Sequence, residues 1–187
     1  MVKGRSIFNE MVPLAPGRYR LNVVAKDVTG GNINNYEVAL DVPRFEDDKL
    51  AASSMILADQ LERVPWKSIG TGQFVIGTSK VRPRVNDTFA RDEKLGIYLQ
   101  LYNFQPDEKT QKANGQVNYE ITKTGSNLKV FEYKEDVAGL PGSPTQLIVE
   151  KILPLKNLEP GAYTISVKAE DKNRNQTVGS TATFTVQ

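Results

Sequence analysis

The sequence predicts an all-β fold: a β-sandwich with part of a second sandwich in front of it. One stretch occurs twice, as residues 14–27 (LAPGRYRLNVVAKD) and, 144 positions later without a gap, as residues 158–171 (LEPGAYTISVKAED). Apolar and polar residues alternate within each copy. Tyr19, Leu21, Val23 and Ala25 oppose Arg18, Arg20, Asn22 and Val24, while Tyr163, Ile165, Val167 and Ala169 oppose Ala162, Thr164, Ser166 and Lys168. A period of two marks a half-buried strand. Elsewhere strand signals recur at sandwich spacing, and no helix long enough for an α/β domain is evident.

Taken in order, residues 6–11 read as a short strand leading into the Pro16-Gly17 turn, where proline presets φ and glycine accepts positive φ. Residues 18–26 form a strand, 27–34 a loop around Gly30-Gly31, and 35–42 the return strand. Three strands cannot bury an inner face alone. Residues 1–44 therefore read as the last strands of a repeat-related domain: either the chain is a fragment, or these strands dock on the second domain or on another copy. Residues 45–67 read as a linker. It holds the acidic run Glu46-Asp47-Asp48, a segment (50–62) read as strand or extended connector over helix, and a loop with the single tryptophan, Trp66.

The complete sandwich is expected over 68–187. Residues 73–76 and 80–85 are short strands, and Pro83 confines the second to an edge or bulge. Residues 95–104 place Leu95, Ile97, Leu99 and Leu101 on one face. Strands at 116–122, 128–133 and 145–153 follow, with a helical turn around 136–140, and the second copy of the repeat closes the sheet. This is the pattern of one immunoglobulin-like or fibronectin-type-III-like sandwich.

Composition narrows the chemistry. The chain of 187 residues has 24 basic and 22 acidic residues, well interspersed, so no basic face for nucleic acid is expected. No apolar run approaches the length of a membrane span, and residues 1–16 lack the apolar stretch of a signal peptide. There is no cysteine and no histidine. The first absence removes disulfides and thiolate metal sites; the second removes the commonest general base and every serine–histidine triad. No catalytic residue, cofactor or metal is expected.

The penultimate-strand motif Leu158-x-Pro-Gly-x-Tyr resembles that of bacterial immunoglobulin-like and fibronectin-type-III-like domains. The resemblance makes Tyr19 and Tyr163 structural tyrosine corners. Further segments, VPRF at 42–45, SSMILADQ at 53–60, GQFVIG at 72–77, KVRPR at 80–84 and LGIYLQLYN at 95–103, resemble the C-terminal region of large bacterial secreted GWxTD-domain and von Willebrand factor A-related proteins. Neither a GWxTD motif nor an Asp-x-Ser-x-Ser metal motif occurs. The resemblance implies an extracytoplasmic sandwich, periplasmic or secreted, and carries over no catalytic residue.

Three constellations remain as candidate sites. Asp171, Asn173 and Asn175 have the opening spacing of a calcium loop, but Gln176 and Ala182 stand where glycine and a bidentate acid belong, and a hairpin turn explains the residues as well. Tyr98, Tyr102 and Phe104 share the face opposite the leucine stripe. With Trp66 they make an aromatic platform for a sugar, or a face covered by residues 1–44 or a partner. Lys80, Arg82 and Arg84 line an edge strand, where charge discourages aggregation. The reading that results is a noncatalytic structural or protein-interaction module with a protein partner or self-association. The alternative is a carbohydrate-binding module using Trp66, Tyr98 and Tyr102.

Overall fold

The computed structural model describes residues 7–126 and 128–187, and the fold is all-β. The chain divides into two compact units, Met1–Glu46 and Asp47–Gln187.

The first unit is one antiparallel hairpin. Strand β1 (Gly17–Lys26) pairs with β2 (Ile33–Val42), in register from Gly17 opposite Val42 to Lys26 opposite Ile33. Residues 7–16 carry no strand, so the one expected at 6–11 is absent from its described part; residue 6 lies outside the described residues. A strand needs a ladder partner, and residues 7–16 form no ladder with β1 or β2.

The second unit is built from two sheets. One has the order β10 (Leu128–Asp136), β9 (Gly115–Lys123), β13 (Gly161–Asp171), β14 (Gln176–Val186) and β7 (Thr88–Phe89), with only β7 running parallel to its neighbour. The other has the order β11 (Gly142–Ser143), β12 (Gln146–Pro154), β8 (Lys94–Tyr102), β4 (Ile56–Arg63), β6 (Ser79–Pro83) and β5 (Val75–Ile76), and β3 (Ala51–Ala52) also pairs with β8. Their inner faces meet in one core. Leu95, Ile97, Leu99 and Leu101 come from one side, and Val117, Tyr119, Ile165, Val167 and Phe184 from the other. The helical turn expected near 136–140 is a short 3-10 turn, Val137–Gly139, capped by the Asp136 carboxylate, which accepts from the Ala138 N–H at 2.7 Å.

Two expectations change. The segment expected as a linker supplies β3 and β4, and β4 lies between β8 and β6. Leu57 faces the main core while Ile56 and Ala58 join a second apolar cluster on the opposite face, so the strand is apolar on both sides and shows no alternation. Strand β6 is not a bare edge at Ser79 and Lys80, where β5 covers it, while at Pro83 the bulge alternative holds, with a register shift between Ala58 and Gln60 of β4.

Both repeat tyrosines close the turn that precedes their strand. Tyr163 donates its hydroxyl to the Glu159 carbonyl at 2.7 Å, and Tyr19 donates to the Ala15 carbonyl at 2.8 Å, four residues back in each case. Tyr163 is buried and stacks on Phe184 with ring centroids 5.6 Å apart. Close backbone approach is needed at Gly115, where a Cβ would lie 1.9 Å from the Glu170 carbonyl oxygen.

Removing the Tyr163 hydroxyl while keeping its ring isolates the corner. Tyr163→Phe leaves a carbonyl without its donor and should destabilise the chain by about 1–3 kcal/mol, read as a lower denaturant midpoint with unchanged slope.

Candidate functional site

The hairpin carries the most asymmetric surface. Directly opposed residues in an antiparallel pair share a face, and the register places Tyr19 with Leu40, Leu21 with Val38, and Val23 with Tyr36. One face is therefore apolar from Tyr19–Leu40 to Val23–Tyr36 and ends on the Ala25–Asn34 pair. The other holds the ion pairs Arg18–Asp41 at 3.9 Å and Arg20–Glu37 at 3.4 Å, both solvent-exposed, and beyond them the exposed Val24 and Ile33. Surface pairs of this kind contribute little. The apolar face weighs more: covering a Leu or Val fully is worth about 1.5–3 kcal/mol, yet Leu21, Val23 and Tyr36 remain 43%, 46% and 64% exposed.

The second unit does not form the aromatic platform expected from the sequence. Trp66 sits on a 3-10 turn (Trp66–Ser68), 76% exposed, with the Lys67 ammonium 5.4 Å from its ring. Tyr98, at 2% exposure, is instead sealed in the second apolar cluster with Ala58 and Val81, flanked across the sheet by Ile56 and Glu150. Phe104 belongs to the main core. Tyr102 is half-buried and donates to Gln100, whose amide donates in turn to the Tyr98 hydroxyl at 2.8 Å. Desolvation pushes both tyrosine hydroxyls up from their ordinary value, so they act as neutral hydrogen-bonding groups. The signal for a covered outer face was present in the near-continuous apolar run of β8, which marks burial on both sides.

Beside this cluster lies a surface cavity of about 550 Å³, lined by Gln60, Glu62, Arg63, Phe74, Lys80 and Arg82 among others. Its wall is a loop held in left-handed conformation at Gly70, Gly72, Phe74 and Gly77. Phe74 is the non-glycine among them, kept there by burial and by its carbonyl accepting from Val81 N–H at 2.7 Å. Two of the cavity's cations are already committed: Arg82 pairs with Asp59 at 2.6 Å, and Arg63 lies 3.7 Å from Glu150.

The titratable clusters are structural in geometry. Tyr119, fully buried, donates to Glu135, which also pairs with Lys151 at 2.8 Å, and the Lys151 ammonium lies 4.3 Å from the Tyr133 ring centre. Burial first, and the Glu135 carboxylate second, push the Tyr119 hydroxyl far up, so it is a donor and not a nucleophile. The cluster ties β9 and β10 to β12 of the other sheet, a tertiary pairing that sequence spacing does not reveal. Arg84 pairs with Glu93 and with Asp59 at 3.6 Å while lying over Phe89, 4.7 Å from its centroid. Asp171 is buried and accepts from the N–H groups of Asn173 at 2.9 Å, Arg174 at 3.1 Å and Gln105 at 2.7 Å, so its oxygens hold a turn and a neighbouring loop. Among the described residues no cluster of three or more carboxylates is placed to hold a metal ion, and no helix is long and apolar enough to cross a membrane.

No protein-family model and no curated protein sequence matches the chain. A solved structure of a family 123 glycoside hydrolase from Clostridium perfringens overlaps it with a TM-score of 0.34 and 12% identity, over 74% of this chain and 27% of that one. The chain thus spans about a quarter of that protein, and so low a score carries no argument about function.

The Glu93 carboxylate gives a pH test. It accepts from Ala90 N–H at 2.6 Å and pairs with Arg84, and these contacts hold it below the usual glutamate range. A depressed carboxylate stabilises the fold above its unfolded value, about 4.3, and that contribution is lost as the pH falls through the lower folded value. Glu93→Gln should lower stability at neutral pH and flatten the loss of stability below about pH 4, measured by denaturant unfolding across pH.

Proposed function

We propose that the chain is a noncatalytic β-sandwich module that binds another protein through the β1–β2 hairpin, as part of an extracytoplasmic bacterial protein. The observation that carries the interaction reading is the hairpin's uneven character: a continuous apolar stretch from Tyr19–Leu40 to Val23–Tyr36 on one face, left half-exposed, and ion pairs at Arg18 and Arg20 on the other. A two-stranded hairpin is marginal by itself in water. Exposed apolar faces rimmed by polar residues mark protein contacts. Its mechanism is contact alone, by sheet face and strand edge. The extracytoplasmic setting is supported by the sequence resemblance.

A second reading, carbohydrate binding, draws on the exposed Trp66 and on the polar cavity beside Phe74 and Lys80. It proceeds without Tyr98, which is sealed in the sheet.

Sedimentation velocity separates the two. With no partner present, the interaction reading expects weak self-association of the full chain, with Kd on the order of 0.1–1 mM. Leu21→Lys with Val38→Lys should abolish it and leave the unfolding transition of the second unit unchanged. A chain that stays monomeric throughout that range and binds oligosaccharides in a Trp66-dependent way would support the sugar reading instead.

A further inference from the structure

The second copy of the repeat is an internal template for what covers the first. Residues of β13 that point into the core are Tyr163, Ile165, Val167, Ala169 and Asp171. Their counterparts are Tyr19, Leu21, Val23, Ala25 and Asp27, so four of the five are identical and the fifth exchanges isoleucine for leucine. At the five intervening positions of β13, which point outward, no residue is shared. Beyond the shared Leu-x-Pro-Gly turn, the likeness along the strand is confined to the side that the second copy buries.

Three features of β13–β14 engage the rest of their sandwich. The apolar face packs on Leu95, Ile97 and Leu99 of the opposite sheet. The edge of β13 pairs antiparallel with β9, from Tyr163 opposite Lys123 to Asp171 opposite Gly115. The Asp171 carboxylate takes the Gln105 N–H of the loop that leads to β9. The first copy has all three in the free form. Its apolar face is half-exposed, the outer edge of β1 pairs with no strand among the described residues, and Asp27 is exposed, its carboxylate accepting from Thr29 of its own turn at 2.9 Å.

We propose that the β1–β2 hairpin is the closing pair of strands for an open immunoglobulin-like sandwich, one that has the strands equivalent to β7–β12 and lacks its last two. This rests on the reading of the hairpin as an interaction surface and names the partner. The partner presents an aliphatic inner face, an unpaired edge strand alternating like β9, and a loop with a free backbone N–H for Asp27. A second copy of this chain fits less well. Its own sandwich already has β13 on the β9 edge, and two hairpins packed face to face offer roughly 300 Å² each, short of the ~1,200 Å² total of a stable interface.

The equal spacing of the copies permits a direct test. In the full chain, residues 161–186 are replaced by the sequence of residues 17–42, which needs no change of length. The proposal expects a single cooperative unfolding transition at a reduced midpoint, with the amides of Gly115–Lys123 protected from hydrogen exchange as in the native chain. The same graft carrying Leu21→Lys should lose both. Tyr36 would replace the half-buried Ser180, so a second graft retains Ser180 to remove that mismatch. If neither graft shows a cooperative transition with β9 protected, the proposal is overturned. Because neither result depends on association of the native chain, the interaction reading stands or falls separately.

Discussion

A sheet that is apolar on one face must have that face covered, and both units of this chain are shaped by that requirement. In the second unit it is met. Inner faces of two sheets supply Leu95, Ile97, Leu99, Val117, Ile165 and Val167 to one core, and dense packing of such side chains outweighs the modest net contribution of each ladder hydrogen bond. Around that core the polar devices take fixed places. Tyr163 closes the turn before β13, Asp171 closes the turn after it, and the Tyr119–Glu135–Lys151 cluster ties the sheets at one side. In the first unit the same strand pair carries the same kind of face half-exposed.

The sequence reading succeeded where burial is one-sided. Alternation located β1, β2, β9, β13 and β14 within a few residues, and the resemblance of the repeated motif marked both corner tyrosines, whose hydroxyls bond the backbone four residues back. It failed where a strand is buried on both faces. The run around Leu57 has no period because Ile56 and Ala58 are also covered, so a mid-sheet strand read as strand or extended connector within a linker. The same blind spot turned Tyr98 into a surface aromatic. Placing it outward from the leucine stripe was correct, but β4 and β6, contributed by residues far off in sequence, enclose that side too. The Lys151–Glu135 contact was illegible for a related reason, since it joins strands of different sheets.

The perturbed titratable groups sit in networks that the fold itself uses. Carboxylates held low, such as Glu93, are held by backbone N–H groups and arginine in surface networks. The hydroxyl pushed furthest up, Tyr119, is enclosed by the sandwich and has a fixed acceptor. Perturbed groups can mark active sites, but structural networks perturb them as well, and these lie where the fold itself uses them. What the fold leaves unused is the hairpin face and its edge.

Native-state hydrogen exchange on the full monomeric chain tests that central claim most directly. The account expects the amides of Gly17–Lys26 and Ile33–Val42 to exchange through local opening at low free energy while those of Lys94–Tyr102 and Gly115–Lys123 exchange only near global unfolding. Equal protection of the hairpin and the core strands would contradict it, because the hairpin face would then already be satisfied within the chain.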